Sequence, residues 1–207
     1  MFITSFEEQN ITYRSCSNLR IHLCTSTMKK TLVIVAHPQI NESVVNQRWA
    51  EELRKHPDEF TVHEIYKAYS NGVIDVAKEQ SLIEEHENLI FQFPIYWFNC
   101  PPLFKQWLDE VFTYGWAYGS TGDKLKNKKI MLAVSAGIKS KDYSGTGRYQ
   151  LPLNQALYPF ELTALYVEAD YQPIYAFYGT ESNPTSEDVD QSAVDYVQKL
   201  LHLANSG

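Results

Sequence analysis

Short apolar, β-branched runs alternate with stretches of helical spacing along most of the chain, and this rhythm restricts the fold more than any other feature. Thr31–Ala36 (TLVIVA) has no apolar–polar alternation, the pattern of a strand covered on both faces. Leu89–Ile95 and Ile130–Ser135 are two further apolar strands, and Phe60–Tyr66 and Pro173–Tyr178 read as weaker ones. Between them fall helical patterns. Ser43–His56 shows helical spacing through Val44, Trp49 and Leu53, with Asn41 or Ser43 able to cap it. Asn71-Gly72 marks a turn, and Ala77–Glu87 reads as a short charged helix. Pro101-Pro102 opens a helix that runs to Thr113. Helices around Asn154–Tyr166 and Ser186–Leu203 complete the set, the last announced by Asn183-Pro184-Thr185-Ser186-Glu187. Five strand–helix pairs predict an α/β protein with a doubly wound, five-stranded parallel sheet.

The 207 residues suit one domain able to bury a sizeable core. Acidic side chains outnumber basic ones 25 to 18, a net charge of −7, which argues against capture of nucleic acid or an anionic membrane surface. No apolar run approaches the roughly 20 residues that span a bilayer. Three scattered cysteines form no disulfide framework, and a cytoplasmic protein is expected. The first 27 residues differ from the rest. They lack apolar periodicity and the features of a signal peptide, while Met28-Lys29-Lys30 followed by an apolar strand resembles a cytoplasmic start. Residues 1–27 are therefore expected to be an extension upstream of the natural start at Met28, with a Cys16–Cys24 pair disfavoured in a reducing compartment.

In open α/β sheets, ligands bind beyond the carboxyl ends of the strands. Three loops lie there. The first, His37-Pro38-Gln39-Ile40-Asn41-Glu42-Ser43, leads into a helix N-terminus, which presents free N–H groups to an anion. It holds no Lys or Arg, so a phosphate there would rest on backbone, hydroxyl and imidazole, with Ser43, Asn46 and His37 as donors and Glu42 required to point away. The bland alternative is that Asn41 and Ser43 only cap the helix and His37 packs. The third, Ser135-Ala136-Gly137 onward to Gly147-Arg148-Tyr149, is long for this architecture. No dinucleotide fingerprint, phosphate-loop motif or metal-ligand spacing is present, and the lone Cys100 reads as packing.

The second loop, Ile95 to Pro102, is the aromatic one. Eleven of the 28 aromatic residues lie within 91–118, about three times an even share. Phe91, Phe93, Phe104 and Phe112 have the spacing of strand and helix interiors. Tyr96-Trp97-Phe98, at a strand end, offer flat apolar surface and amide dipoles suited to a multi-ring ligand.

The segments TLVIVAHPQINESVVN (31–46), FPIYWFNCPPLFKQWLDEVFTYGWAYG (93–119) and AVSAG (133–137) strongly resemble the flavodoxin-like NAD(P)H:quinone oxidoreductases. They are most like the short bacterial members, which include ancillary flavoproteins of glutathione-gated potassium efflux systems. The likeness covers 28–207 and implies a flavin-binding domain with strand order 2-1-3-4-5. It implies FMN rather than FAD, with His37, Ser43, Val44, Val45 and Asn46 at the phosphate and ribityl chain. Ile95, Tyr96, Trp97 and Phe98 match positions that line the isoalloxazine, and Ser135, Ala136, Gly137 and Ile138 those that touch its edge and far chain. Tyr118 matches a tyrosine of the substrate pocket. Tyr143 falls where mammalian-type relatives carry a tyrosine near the flavin, and Tyr149 where they carry a histidine. That departure leaves three proton sources or charge stabilisers open: Tyr149, Arg148 or solvent. The resemblance further implies a homodimer with flavin at each subunit boundary. Its implied mechanism is ping-pong: NAD(P)H gives hydride to flavin N5 and leaves, and a quinone or related electrophile takes hydride in the same slot.

Two other classes compete. A flavodoxin-type electron shuttle would carry a Ser/Thr/Gly-rich phosphate loop and a crowded acidic rim, where this chain has Ala36-His37-Pro38 and dispersed charge. A regulatory subunit of a potassium efflux membrane protein would need a docking surface for which the sequence carries no motif.

Overall fold

In the computed structural model, residues 31–206 are described, and the expectations about Met28, 1–27 and Cys16–Cys24 lie outside them. Five strands form one parallel sheet: β1 (Thr31–Val35), β2 (Phe60–Glu64), β3 (Asn88–Pro94), β4 (Lys129–Ala136) and β5 (Asp170–Tyr178). Their spatial order is β2-β1-β3-β4-β5, so the chain changes direction of winding between β1 and β3. The expected doubly wound, flavodoxin-like arrangement is present. The register sets Val35 beside Gln92 and Pro94 beside Ser135, which brings the ends of three strands to one rim.

Period-two alternation sorts the strand residues onto two faces. Val33, Val35, Ile90, Met131 and Ala133 pack under α1 (Val44–Leu53) and α7 (Ser186–Asn205), against Trp49, Leu53, Tyr196 and Leu200. Leu32, Ile34, Phe91, Phe93, Leu132 and Val134 pack against α3 (Val76–Glu84), α4 (Pro102–Val111) and α6 (Tyr158–Tyr166). Phe91, Phe93, Phe104 and Phe112 are all buried here, as their spacing predicts. Cys100 is buried too, and desolvation pushes its thiol up to about 11, which leaves it a packing group.

The elements differ from expectation at a few places. The strand expected over 60–66 stops at Glu64 and turns into the short helix α2 (Ile65–Ala68), because Ile65 is drawn into the core. The helix expected over 154–166 is two pieces, α5 (Leu153–Ala156) and α6, parted at Leu157. Pro159 accounts for the break, since it has no N–H and its ring excludes the carbonyl four residues earlier. β5 extends back to Asp170 and tolerates Pro173 because it is an edge strand. One residue of the charged helix α3 faces inward: Glu79 is fully buried, accepting from His63 Nε2 at 2.9 Å, Trp107 Nε1 at 2.7 Å and the Tyr69 hydroxyl. Burial raises this carboxyl, and the hydrogen bonds from His63, Tyr69 and Trp107 together with the charge interaction with His63 outweigh it, so it stays below its ordinary value.

Candidate active site

Helix α1 begins immediately beyond β1, and Ser43 is its cap: Ser43 Oγ accepts from the Asn46 N–H at 3.0 Å. The N–H groups of Val44 and Val45, in the first turn, have no intrahelical acceptor. They open on a cavity of about 400 Å³ lined by His37, Ser43, Val44, Val45, Pro94, Ser135, Thr180 and Asn183. This donor set fits a phosphate, with two N–H groups, hydroxyls and the helix dipole aimed at one volume. His37 adds one more donor. Burial, opposed by Glu42, holds its imidazole below the ordinary value, so it is neutral at pH 7. Its Nδ1 accepts from the Gln39 N–H at 3.1 Å, which assigns the proton to Nε2. Glu42, which the sequence reading requires to point away, is among the residues lining the cavity, at an exposed position.

Asn46 sits differently from the expectation of a phosphate donor. Its side chain is buried and donates inward, Nδ2 to Ser135 Oγ at 2.8 Å, because the helix turns position 46 toward the sheet. Its carbonyl accepts from Gln92 Nε2 at 2.9 Å. Gln92 is a polar residue in the middle of an otherwise apolar buried strand. The Oδ1 of Asn46 and the Oε1 of Gln92 are buried without a partner. Each such orphan acceptor costs about 1–3 kcal/mol where an apolar group would cost none.

One residue past Pro94 the chain makes a tight hairpin. The Tyr96 N–H donates to the Asn99 carbonyl and the Asn99 N–H to the Tyr96 carbonyl, both at 2.9 Å. Trp97 and Phe98 at its tip have φ of 50° and 59°. Two bulky residues in the left-handed region are strained, and such strain collects at functional sites. Their side chains project: Trp97 is 94% exposed, and Tyr96 and Phe98 are about half as exposed. Ile95, half-buried, continues the ladder to the Ser135 carbonyl at 2.9 Å.

The third loop folds back onto this hairpin. The Phe98 ring meets Tyr149 edge-on at 5.0 Å, Tyr149 meets Tyr143 at 5.1 Å, and Tyr143 meets Tyr178 at 5.8 Å. Burial first, then Tyr149, Tyr178 and Asp142, keeps the Tyr143 phenol above its ordinary value, a protonated donor at neutral pH. Arg148 lies 5.9 Å over the Tyr149 ring. Ala136 is buried, and Gly137 and Ile138 lie at the rim. A Cβ at Gly137 would come within 2.5 Å of the Glu181 carboxylate, the end of an exposed, flexible side chain. Tyr118 is not in this ring chain. It packs with Tyr166 of α6 at 5.2 Å and Tyr114 at 5.9 Å.

His37, Ser43–Val45 and Ser135 line one cavity, and the 96–98 hairpin, which follows Pro94 of that lining, carries the ring chain to Tyr149 and Tyr143. The fourth wall, Thr180 and Asn183 after β5, was not singled out in the sequence, where Asn183 served only as a helix-start signal. Gln92 was missed as well, although a glutamine inside LIFQFPI was its signal. A larger cavity of about 660 Å³ lies on the other side of His37, between Glu42, Arg54, Glu64 and Lys67. Arg54 and Glu64 bond each other at its wall, and the helix start that borders it, that of the four-residue α2, has Glu64 at its N-cap, whose carboxylate disfavours an anion there.

An α/β sheet with an anion-binding helix start and an aromatic platform at its switch point defines a nucleotide- or flavin-binding protein of the doubly wound class. The chain belongs to the family described as having a flavodoxin-like fold, whose model matches residues 29–201. It is 45% identical over 172 residues to the uncharacterized NAD(P)H oxidoreductase YrkL of Bacillus subtilis, covering 82% of this chain and 98% of that protein. It is similar to the solved general stress protein 14 of Treponema denticola in complex with FMN: TM-score 0.79, 54% identity, 83% of this chain and 97% of that one. A solved NADPH-quinone reductase from P. pentosaceus gives TM-score 0.75 and 27% identity, covering 83% of this chain and 97% of that one. Among the described residues no helix is long and apolar enough to cross a membrane.

Proposed function

We propose that this protein is an FMN-dependent NAD(P)H oxidoreductase that passes hydride to quinones or related electrophiles. The observation that carries the reading is the cavity at the start of α1, which gathers unpaired N–H groups and hydroxyls and opens beside a strained aromatic hairpin. The names of YrkL, the FMN-bound neighbour and the quinone reductase support the same assignment. When bound, FMN supplies the hydride chemistry between NAD(P)H and acceptor in two successive half-reactions.

The chain's own residues do the rest. Val44 and Val45 N–H, Ser43, Thr180 and His37 Nε2–H hold the phosphate without a fixed cation. The hairpin amides and the Tyr96–Phe98 rings orient the planar ring and exclude water from one side. Tyr143, kept protonated, and Tyr149 stand where a proton can be supplied, and Arg148 provides positive charge at the same edge. The short flavin is favoured over FAD by the FMN-bound neighbour.

The protein is read as a homodimer. Helix α6 is largely apolar apart from Glu161 and Thr163, and Leu162, Leu165 and Tyr166 remain exposed next to Tyr114 and Tyr118. A second copy on that face would cover them and would bring Tyr118 to the partner's site rather than its own. A peripheral potassium efflux partner is supported by 36% identity over 135 residues to the potassium-efflux ancillary protein KefG of Erwinia tasmaniensis, and a cytoplasmic location by the scattered cysteines. Mixing purified protein with FMN, NADPH and a benzoquinone tests the reading: loss of NADPH absorbance that depends on all three is expected, and no NADPH consumption overturns it. Mass spectrometry of flavin released from protein purified without added cofactor distinguishes FMN from FAD.

A further inference from the structure

We propose that Gln92 is a positioning residue for the phosphate end of the cofactor, acting through Asn46 to fix the start of α1 against the central strands. The inference rests on the flavin reading above and assigns a role to a residue inside the sheet. Gln92 lies on β3, on the face that meets α1 and α7, with no exposed surface. Its Nε2 donates to the carbonyl of Asn46, the third residue of α1. The Asn46 side chain then donates to Ser135 Oγ on β4. One residue of the helix is therefore tied to two adjacent strands, immediately after the Val44 and Val45 N–H groups that face the cavity.

An anion held by backbone N–H groups and no lysine or arginine depends on where those groups point. Packing alone lets a helix slide or rotate by fractions of an ångström; two directional hydrogen bonds of 2.8 and 2.9 Å do not. The second observation is the pair of buried, unpartnered oxygens on the same two amides. Leucine or methionine would fill either position without leaving an orphan acceptor, so the amides are poor choices for stability and good ones for orientation. The same tie occupies an acceptor lone pair of Ser135 Oγ, which leaves its own O–H as a donor where Ser135 lines the cavity.

The test separates the phosphate from the ring. Full-length wild type and Gln92→Met, freed of flavin, are titrated with FMN and with riboflavin, which lacks the phosphate, following flavin fluorescence. Gln92→Met is expected to weaken FMN about tenfold while riboflavin changes less than about twofold, with the melting temperature kept or raised. Equal weakening of both flavins, or unchanged FMN affinity, overturns the proposal while leaving the flavin reading intact. A wild type that binds neither flavin overturns both. Asn46→Ala cuts the second tie and is expected to show the same FMN-selective loss, which keeps the proposal falsifiable where Gln92→Met does not fold.

Discussion

Two buried polar clusters lie on opposite faces of the sheet and are built on different terms. On the α3/α4 face, the Glu79 carboxylate receives hydrogen bonds from His63, Tyr69 and Trp107 and is held below its ordinary pKa. On the α1/α7 face, Gln92 and Asn46 each use their N–H donors and leave an oxygen unpartnered. The first cluster is satisfied and joins β2, α3 and α4 in the interior. The second is under-satisfied and stands directly behind the cavity. A buried polar group with its partners supports the fold, whereas one kept despite missing partners points to what the neighbouring surface must do.

The comparison breaks most readily at Glu79. Glu79→Ala leaves three donors unpaired and is expected to cost about 3–5 kcal/mol in urea unfolding, with the flavin affinity of the folded fraction unchanged. A large loss of flavin affinity at unchanged stability would erase the contrast between the two clusters. The pH dependence follows from the sign of the shift. The folded value lies below the ordinary 4.5, so the carboxylate's stabilisation is complete above that pH and is lost as the pH falls through the lower folded value. Glu79→Gln is expected to flatten this acid limb.

Ser43→Ala sharpens the other side. Removing the cap is expected to cost about 1 kcal/mol of stability and to weaken FMN more than riboflavin, measured by melting and by the same paired titration. Trp97→Gly gives the smallest effect and the opposite sign. Relief of the left-handed backbone, offset by the extra freedom of glycine when unfolded, is expected to stabilise the protein by about 0.5–1 kcal/mol while flavin binding weakens. A stability loss at Trp97 would show that the hairpin is packed rather than strained.

Much of the fold was legible because strands covered on both faces must be apolar and β-branched, and helices must show their period; β1, β3 and β4 announced themselves in this way. The position of His37, Ser43 and Tyr96–Phe98 on loops at one rim was legible because a parallel sheet ends all its strands on the same side, while Val44 and Val45 came from the family resemblance. Asn46 was not, because whether its amide faces the phosphate or the sheet depends on the rotation of α1. The charged stretch 77–87 did not single out Glu79, since a single residue's burial is decided by which helix packs over it.

The sequence by itself determined the alternation of elements, a first loop without cations, the aromatic cluster and the family motifs, because each is a local pattern with a local physical cause. Only the tertiary structure decided that Gln92 reaches α1, that the loop after β5 closes the cavity, that Tyr149 joins Phe98 and that Tyr118 does not. Those are meetings of residues far apart in the chain, fixed by strand order and helix rotation, and no local pattern encodes them.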